Sequence, residues 1–582
     1  MNAHAILTGL LLASLSCTPK SGADLILHSG LILSMDRYMP PAQALAIVDG
    51  RILAVGRNVE IMPLANWKTR KINLKGAVVL PGLTDSHFHL LGFGRSLETL
   101  QLVGTTSARE IADRVAAQVA NLPKGTWLTG GGWDQNDWEV TGFPDRDLLD
   151  RAAPDHPVAL RRIDGHALWV NSQALELAGI DARTADPGGG FIHRRDDGAP
   201  TGVLIDNAKA PVNRAIPAAT RADIRRQLAA AVTRCNQVGL TTIHDPGVGQ
   251  TTLDVIREMI DAGEFPLRYY GMLNGSNPEL LERHFADGPT LEYKDRLTVR
   301  SVKLYADGAL GSRGAALLSP YSDDPGNRGL LVTSRQDLEQ TIAETFEAGF
   351  QPAVHAIGDR AVRIALDIYE KLLPPGKDHD LRPRIEHAQM IARSDIKRFG
   401  EMGVVPAMQP THATSDMYWA EERVGPTRIR GAYAWNSLLE AGVFIAGGSD
   451  CPVEQEEPLL QIYAARTRQD TTGWPEDGWY ASEAMTGLAA ARSMTTWAAY
   501  AAFQDSVRGK ILPGYDADLT ILSRNPVGSE AQVILETEVL TTMIGGETVW
   551  RNAAAWRKLP LPPLPEESAE TDSMAAIGNG SS

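Results

Sequence analysis

The sequence predicts an α/β protein whose main domain is a closed barrel of eight parallel strands. Eight short apolar runs follow one another along the chain, beginning near positions 76, 239, 266, 297, 350, 382, 404 and 443. Most of them are separated by segments of helical character. Near-continuous apolar strands that alternate with helices are typical of a parallel sheet covered on both faces. Eight such strands indicate a (β/α)₈ barrel.

Two of the intervening helices are marked by the spacing of their apolar residues. Between Arg335 and Ala348 these residues recur at helical spacing, and Gly349 stops the helix. Between Asp359 and Leu373 they recur at intervals of three and four. Both segments therefore predict helices that cover the barrel.

Polar side chains stand at the ends of the apolar runs. In a barrel of this kind the C-terminal strand ends form one face, where the chemistry takes place. His87 and His89 follow the first run, and residues two apart on an extended strand project from the same face. Two imidazoles so placed chelate a divalent metal. The other side chains predicted at this face are Lys303, His355, His387 and Asp450.

Five longer motifs accompany these residues. They are Gly131-Gly132-Trp133-Asp134-Gln135, Asp164-Gly165-His166-Ala167, Asp307–Arg313, His355–Ala361 and Gly448–Pro452. With the ordered strand-end residues, they resemble the metal-dependent amidohydrolase superfamily, and specifically amidohydrolase family 3, the branch that includes N-substituted formamide deformylase-like proteins. The resemblance runs from about Ala23 to about Trp550.

The resemblance implies a hydrolytic centre with one or two divalent metal ions, most commonly zinc. It implies that Lys303 is carboxylated by CO₂ and that the carbamate bridges two metals. His87, His89 and Asp450 would then hold one metal, and His355 and His387 the other. The alternative for Lys303 is a buried salt bridge with Asp307 or another acid.

Such a centre predicts hydrolysis of a C–N bond, other than a peptide bond, in a small molecule. A metal lowers the pKa of bound water to about 7, so that hydroxide is available to attack at neutral pH. Asp450 is predicted to take the proton from the attacking water and return it to the leaving amine; its alternative role is a helix N-cap. A lactonase, esterase or phosphotriesterase on the same site, and a metal-binding envelope protein without turnover, remain open.

Weaker sequence signals suggest residues that line a substrate pocket and residues that orient the metal ligands. Asp307 and Asp359 are predicted either to orient metal-bound histidines or to pair with Arg313 and Arg360. For each predicted pocket residue, a purely structural role is the alternative. The predicted pocket residues are Trp133, Asp134, His166, Arg313, Gln409 and His412.

Composition narrows the class of partner. The 582 residues hold 56 basic and 71 acidic side chains, a net charge of −15, without a Lys/Arg-rich run. Nucleic acid is therefore not an expected partner. After residue 20 the sequence has no apolar stretch long enough to span a bilayer. The expected partner is a small-molecule substrate. The oligomeric state stays open, with a homodimer among the alternatives.

The N-terminus resembles a bacterial lipoprotein signal. An apolar core from Ala5 to Ser16 ends at Cys17, the residue that would receive lipid. The signal lacks a basic residue before the core, and Ser14 stands where an aliphatic residue is usual. A lipid anchor at Cys17, and so a cell-envelope location, is the prediction. A plain secretory signal, or a wrongly assigned start and a cytoplasmic protein, are the alternatives.

These signals divide the chain into five parts. A leader and spacer cover 1–22, and a barrel covers 81–505. Residues 97–235 interrupt the first β/α step and are too many for a plain loop, which predicts an inserted subdomain. Hairpin patterns at 23–80 and 506–557 fit the small β-sandwich that the resembled family builds from both chain ends. The tail, 558–582, is rich in Pro, Glu and Ser and is predicted to be disordered.

Overall fold

The computed structural model describes residues 22–135, 138–139, 142–162, 167–187, 190–311, 313–376 and 379–559. The predicted lipid-anchor residue Cys17, the predicted pocket residue His166 and the tail from Pro560 onward lie outside the described residues. Within the described ranges, no helix is both long enough and apolar enough to cross a membrane.

The strands fall into groups along the chain. Six precede the barrel: β1 (Ala23–His28), β2 (Leu31–Ile32), β3 (Ala44–Val48), β4 (Arg51–Gly56), β5 (Ala65–Asn73) and β6 (Val78–Pro81). Strand β7 (Leu83–Asp85) opens the barrel. The next six belong to the inserted subdomain: β8 (Leu100–Gln101), β9 (Leu128–Trp133), β10 (Val158–Arg162), β11 (Ala167–Val170), β12 (Gly190–Arg194) and β13 (Pro200–Asp206). The barrel then resumes with β14 (Leu240–Val248), β15 (Arg268–Asn274), β16 (Thr290–Tyr293), β17 (Leu297–Tyr305), β18 (Gln351–Ala356), β19 (Arg384–His387), β20 (Val405–Met408) and β21 (Ala446–Gly447). Three follow it: β22 (Leu519–Leu522), β23 (Val539–Ile544) and β24 (Glu547–Arg551).

The helices alternate with the barrel strands and also cover the insert. In chain order they are α1 (Asn58–Ile61), α2 (Leu90–Glu98), α3 (Ala108–Val119), α4 (Asp147–Ala152), α5 (Ser172–Leu177), α6 (Ala210–Ala215), α7 (Arg221–Gln237), α8 (Gln250–Asp261), α9 (Pro278–Asp287), α10 (Arg335–Glu347), α11 (Asp359–Leu372), α12 (Ile396–Met402), α13 (Pro410–Asp416), α14 (Ala420–Arg428), α15 (Trp435–Glu440), α16 (Pro458–Thr467), α17 (Gly487–Ser493), α18 (Thr496–Ala501), α19 (Gln532–Leu535) and α20 (Ala553–Lys558).

The barrel has the predicted eight parallel strands, in the order β7-β14-β15-β17-β18-β19-β20-β21. Strand β16 pairs with β17 from outside that path. Seven of the predicted apolar runs contain a barrel strand. The run from Gly76 to Leu80 instead forms most of β6 in a neighbouring sheet, and the barrel starts only after Gly82. A Cβ at Gly82 would lie 2.2 Å from Thr241 Oγ1, so the chain passes between the two sheets where only glycine fits.

The first and last barrel strands meet through loop backbone rather than a regular ladder. Ser86 N–H donates to Gly447 O at 2.9 Å, and Asp450 N–H donates to His87 O at 2.7 Å. The buried Asp85 carboxylate accepts hydrogen bonds across this seam from the backbone N–H groups of His87 and Ser449, at 3.0 and 3.1 Å. The seam therefore joins two of the predicted ligand segments.

The insert is a separate layer with its own core. Its sheet has the order β12-β13-β11-β10-β9-β8. Its buried residues include Leu102, Trp133, Leu160 and Trp169. Helix α7 begins inside the predicted range 97–235 and ends just past it at Gln237, but it packs in the barrel core. The separate sheet therefore occupies the shorter span 100–206.

A smaller pair of sheets lies beside the barrel. Strands β4-β3-β1-β5 form one sheet, and β2-β6-β22-β23-β24 form the other, which draws on both ends of the chain. One hydrophobic core contains Leu25 and Leu27 of the first sheet together with Val79 and Leu519 of the second. Strand β5 is an edge of the first sheet, and β24 is an edge of the second.

Candidate metal centre and active site

His87 and His89 open the site directly after β7. They lie in the seam loop rather than on the extended strand that the sequence predicts. Even so, Phe88 between them is fully buried in the core, and both imidazoles face one carboxylate. His87 Nε2 and His89 Nε2 lie 3.5 and 3.2 Å from Asp450 Oδ1. The predicted sharing of one face therefore holds, although the local backbone differs.

His387 and His355 complete a cluster of imidazoles. The ring centroid of His387 is 4.8 Å from that of His87 and 4.6 Å from that of His355. His387 Nδ1 lies 2.9 Å from Gln409 Oε1. Because an amide oxygen only accepts, Nδ1 carries the proton, and Nε2 keeps a lone pair for a metal.

The donor atoms fit a divalent metal. One ligand atom each from His87, His387 and Asp450 lies within 4.8 Å of the others. The buried Nε2 atoms of His355 and His412 have no hydrogen-bond partner among the described residues. Burying a polar atom without a partner costs free energy. A cation bound to such a nitrogen would remove that cost. The predicted assignment of His87, His89 and Asp450 to one metal and of His355 and His387 to the other is less distinct here. His387 groups with His87 and Asp450.

Glu386 is a site residue that the sequence reasoning missed. Its Oε2 lies 2.5 Å from His87 Nδ1, and its Oε1 accepts from Arg384 Nε at 2.7 Å; all three side chains are buried. Burial alone would raise the pKa of Glu386, but Arg384, His87 and Lys303 outweigh it and hold the pKa below its ordinary value. A carboxylate on the far nitrogen of a ligand histidine fixes the ring and its tautomer.

Lys303 lies on the floor of the site with 1% of its surface exposed. Its Nζ is 3.4 Å from His87 Nε2. Among the described residues it makes no salt bridge, and Asp307 instead accepts from the backbone N–H groups of Ala316, Ile357 and Gly358. Burial lowers the pKa of Lys303 to about 8. Part of the population therefore holds a neutral amine at neutral pH, the form that reacts with CO₂.

A cavity of about 420 Å³ opens above these residues. Its floor is the histidine cluster with Lys303 and Asp450. Its upper wall is formed by Leu310, Ile357, Trp419, Asp416 and Glu454. Asp416 accepts hydrogen bonds from Gln389 Nε2 at 2.8 Å and from Tyr433 OH at 2.5 Å. Burial raises the pKa of this carboxyl to about 6.

Two of the predicted pocket residues lie at the site. His412 lines the cavity, with its Nε2 3.8 Å from Asp450 Oδ2. Gln409 holds His387, as described above. The third of them, His166, lies outside the described residues.

The other three predicted pocket residues make their contacts outside the cavity. The side chain of Trp133 is fully buried in the insert core rather than at the cavity, and its indole N–H donates to Leu160 O at 2.8 Å. Asp134 pairs with Arg162 at 2.6 Å. Arg313 pairs with Asp323 at 2.8 Å rather than with Asp307. Of the described residues around the cavity, these three are not part of the lining.

The fold and the site define a parallel α/β barrel whose cluster of imidazoles and a carboxylate could hold a metal ion. The model of the amidohydrolase family matches residues 70–550. The chain therefore belongs to the amidohydrolase family and is a hydrolase.

Relatives span almost the same length. The chain is 34% identical to the putative amidohydrolase YtcJ of Bacillus subtilis over 91% of this chain and 99% of the relative. It is 27% identical to an N-substituted formamide deformylase of Arthrobacter pascens over 90% of this chain and 97% of the relative. A crystal structure of an uncharacterized metal-dependent hydrolase from Pyrococcus furiosus superposes with a TM-score of 0.73 at 28% identity, covering 86% of this chain and 99% of the other.

Proposed function

We propose that the protein hydrolyses a C–N bond, other than a peptide bond, in a small molecule. The observation that supports this most is the Asp450 carboxylate, held between the Nε2 atoms of His87 and His89 on the floor of a cavity. A carboxylate in this setting both binds a cation and accepts protons, which hydrolysis of an amide requires.

The residues present fit one or two divalent ions, for which zinc is the expected metal. Asp450 and the imidazoles of His87, His89, His355 and His387 would hold them, with Lys303 as a carboxylated bridge. When bound, the metal supplies hydroxide at neutral pH, because it lowers the pKa of water to about 7.

Asp450 acts as the general base. Burial raises its pKa, but His87, His89 and His412 outweigh that effect and keep the carboxyl ionised. It accepts a proton from the attacking water and passes it to the nitrogen of the breaking bond, since an amine leaves readily only when protonated. His412, on the other side of the carboxylate, is available to hydrogen-bond the carbonyl oxygen where negative charge develops.

The cavity favours an uncharged or cationic substrate with an apolar group. Leu310, Ile357 and Trp419 supply apolar wall, and the acidic Asp416 and Glu454 face the same space. Among the described lining residues Lys303 is the only lysine or arginine, and it lies at the floor. Substrates that carry a carboxylate should therefore bind poorly. The printed name of the Arthrobacter relative, an N-substituted formamide deformylase, supports neutral amides as the class to test.

A matched pair of substrates tests the proposal. Metal-loaded protein is given N-benzylformamide and benzyl formate, which share the acyl and benzyl groups and differ only in the bond cleaved, and formate is measured. N-formylphenylglycine is N-benzylformamide with a carboxylate on the benzylic carbon, the group that the cavity should reject. Faster release from the amide supports the proposal, and release from the ester alone supports an esterase instead. No turnover of amides, esters, lactones or phosphotriesters by fully loaded protein would support a binding role.

A further inference from the structure

A second concave surface lies between the edges of the two small sheets and shares no lining residue with the hydrolytic site. It is a groove of about 830 Å³, formed by β5, β24 and α20. We call it the basic groove. Its lining residues with a positive charge are Arg70, Lys71, Lys75, Arg551 and Arg557, and its apolar lining is Ile72, Ala553 and Trp556.

These five cations are unusual for this molecule. The chain carries a net charge of −15, and many of its surface arginines are paired with acids, as Arg226 is with Glu98 at 2.6 Å. Within the described residues, none of the five groove cations forms a salt bridge. Five unpaired cations on one surface repel each other and create a site that attracts an anionic chain.

The apolar floor adds a second recognition element. Trp556 is 7% exposed, and its indole N–H is satisfied by Leu540 O at 3.0 Å and Thr541 Oγ1 at 2.9 Å. The Arg551 guanidinium lies 5.7 Å from the ring centroid. An aromatic surface flanked by cations suits a segment in which prolines and aliphatic residues are followed by acids.

The chain itself contains such a segment, directly after the groove. Helix α20 ends at Lys558, and Leu559 packs against the core beneath. The sequence continues as Pro560-Leu-Pro-Pro-Leu-Pro565 and then carries Glu566, Glu567, Glu570 and Asp572, with no Lys or Arg up to residue 582. A polyproline helix of six residues would span about 19 Å, which sets the reach of the acids from the end of α20.

We propose that the basic groove binds residues 560–582 of the same chain. The proline-leucine part would cover Trp556 and Ile72, and the four acids would neutralise the cations of β5 and β24. The tether raises the effective concentration of the segment to about the millimolar range, so a modest intrinsic affinity suffices. The competing explanation is that basic residues merely protect the β5 and β24 edges from pairing with another sheet, a role that needs no occupant.

Carbodiimide cross-linking of the full-length protein separates the two explanations, because it joins a lysine to a carboxylate only when they touch. The exposed pair Lys124–Asp155, at 2.7 Å, is the internal control. We expect links from Lys71 or Lys75 to the acids between 566 and 572. In 1 M salt the Debye length falls to about 3 Å, and the yield of these links should fall severalfold.

A charge-reversal variant provides the matched comparison. Arg70→Glu, Arg551→Glu and Arg557→Glu together should lower the groove links by roughly tenfold, since attraction becomes repulsion. The Lys124–Asp155 link and the hydrolytic activity should remain, which would show that the variant is folded. A tail that yields no links to Lys71 or Lys75, while the control link forms, would overturn the proposal. So would links that join light and heavy copies in a mixture of isotope-labelled and unlabelled protein, because the occupant would then be a second molecule.

Discussion

The barrel interior and the core of the insert bury opposite kinds of side chain. The insert core is aliphatic and aromatic, with Trp133 and Trp169 packed at a ring-centroid distance of 6.3 Å. The barrel interior instead buries Lys303, Arg384 and Glu386. Replacing buried ion pairs by apolar residues is often neutral or stabilising in proteins. The barrel charges therefore point to chemistry, whereas the insert core is explained by packing alone.

The largest effect that would test this contrast comes from Asp450. Asp450→Asn keeps the shape of the side chain but cannot accept the proton, so kcat should fall by about 10²-fold or more. Steady-state kinetics on the best amide substrate provide the measurement, with metal content checked by elemental analysis. Near-normal turnover by a folded and metal-loaded variant would remove Asp450 from the proposed mechanism.

Lys303→Ala tests whether the buried lysine serves the metals. If a carbamate on Lys303 bridges two ions, the variant should lose bound metal, and added short carboxylic acids should restore part of it. Elemental analysis before and after such additions measures both effects. Lys294, which forms an ordinary surface pair with Asp261 at 2.6 Å, is the matched control, and Lys294→Ala should keep its metal. Unchanged stoichiometry in Lys303→Ala would exclude the bridging role.

Trp133→Ala should affect stability rather than chemistry. Removing this fully buried ring should cost about 3–5 kcal/mol in the free energy of unfolding of the insert. We expect a lower transition in calorimetry, while kcat of the protein that remains folded changes little. A large loss of kcat with unchanged stability would mean that Trp133 reaches the substrate after all.

Asp245 should have the smallest effect, a pH-dependent change in the free energy of unfolding. This β14 side chain is buried, accepts from Tyr269 OH at 2.8 Å, and has its pKa raised by burial to about 6. The folded state therefore binds the proton more tightly than the unfolded chain, whose Asp pKa is about 3.9. The stability from this group is complete below about pH 4 and is lost as pH rises through about 6, at most about 3 kcal/mol.

The variant Asp245→Asn mimics the protonated carboxyl at every pH. Its melting temperature should exceed that of the wild type at pH 7, and the difference should disappear near pH 4. Thermal melts of both proteins across this range measure the effect. A variant that is less stable at pH 7 would show that the ionised carboxylate contributes favourably to this part of the barrel.

Most of the barrel was predictable because seven of its eight strands lie in short apolar runs bounded by turn or helix signals, whereas β7 follows the first run and was not located. His87, His89, His355, His387, Lys303 and Asp450 could be located together because strand ends of a parallel barrel share one face. The seam geometry was not predictable, since β7 and β21 have only three and two residues. Strands this short contain too few residues to show an alternation of apolar and polar side chains in the sequence.

Glu386 and Trp133 show the two ways in which the local sequence misled. Glu386 adjoins the more conspicuous His387, although its spacing of two from Arg384 in a buried strand is a usable signal for an inward pair. Trp133 stands in a glycine-rich motif that resembles a binding loop. Its burial depends on packing against Trp169 and Leu160, which are distant in sequence.

The seam between β7 and β21 also sets an order of events in the making of the protein. His87 and Asp450 are held by backbone hydrogen bonds across it, yet they are far apart along the chain. At roughly 5–20 residues per second, the ribosome adds Asp450 on the order of 20–70 s after His87. His87 and His89 therefore precede Asp450 by most of the time that synthesis of the chain takes. Metal capture and barrel closure would then be one late event, and a chain truncated before β21 could not assemble the centre.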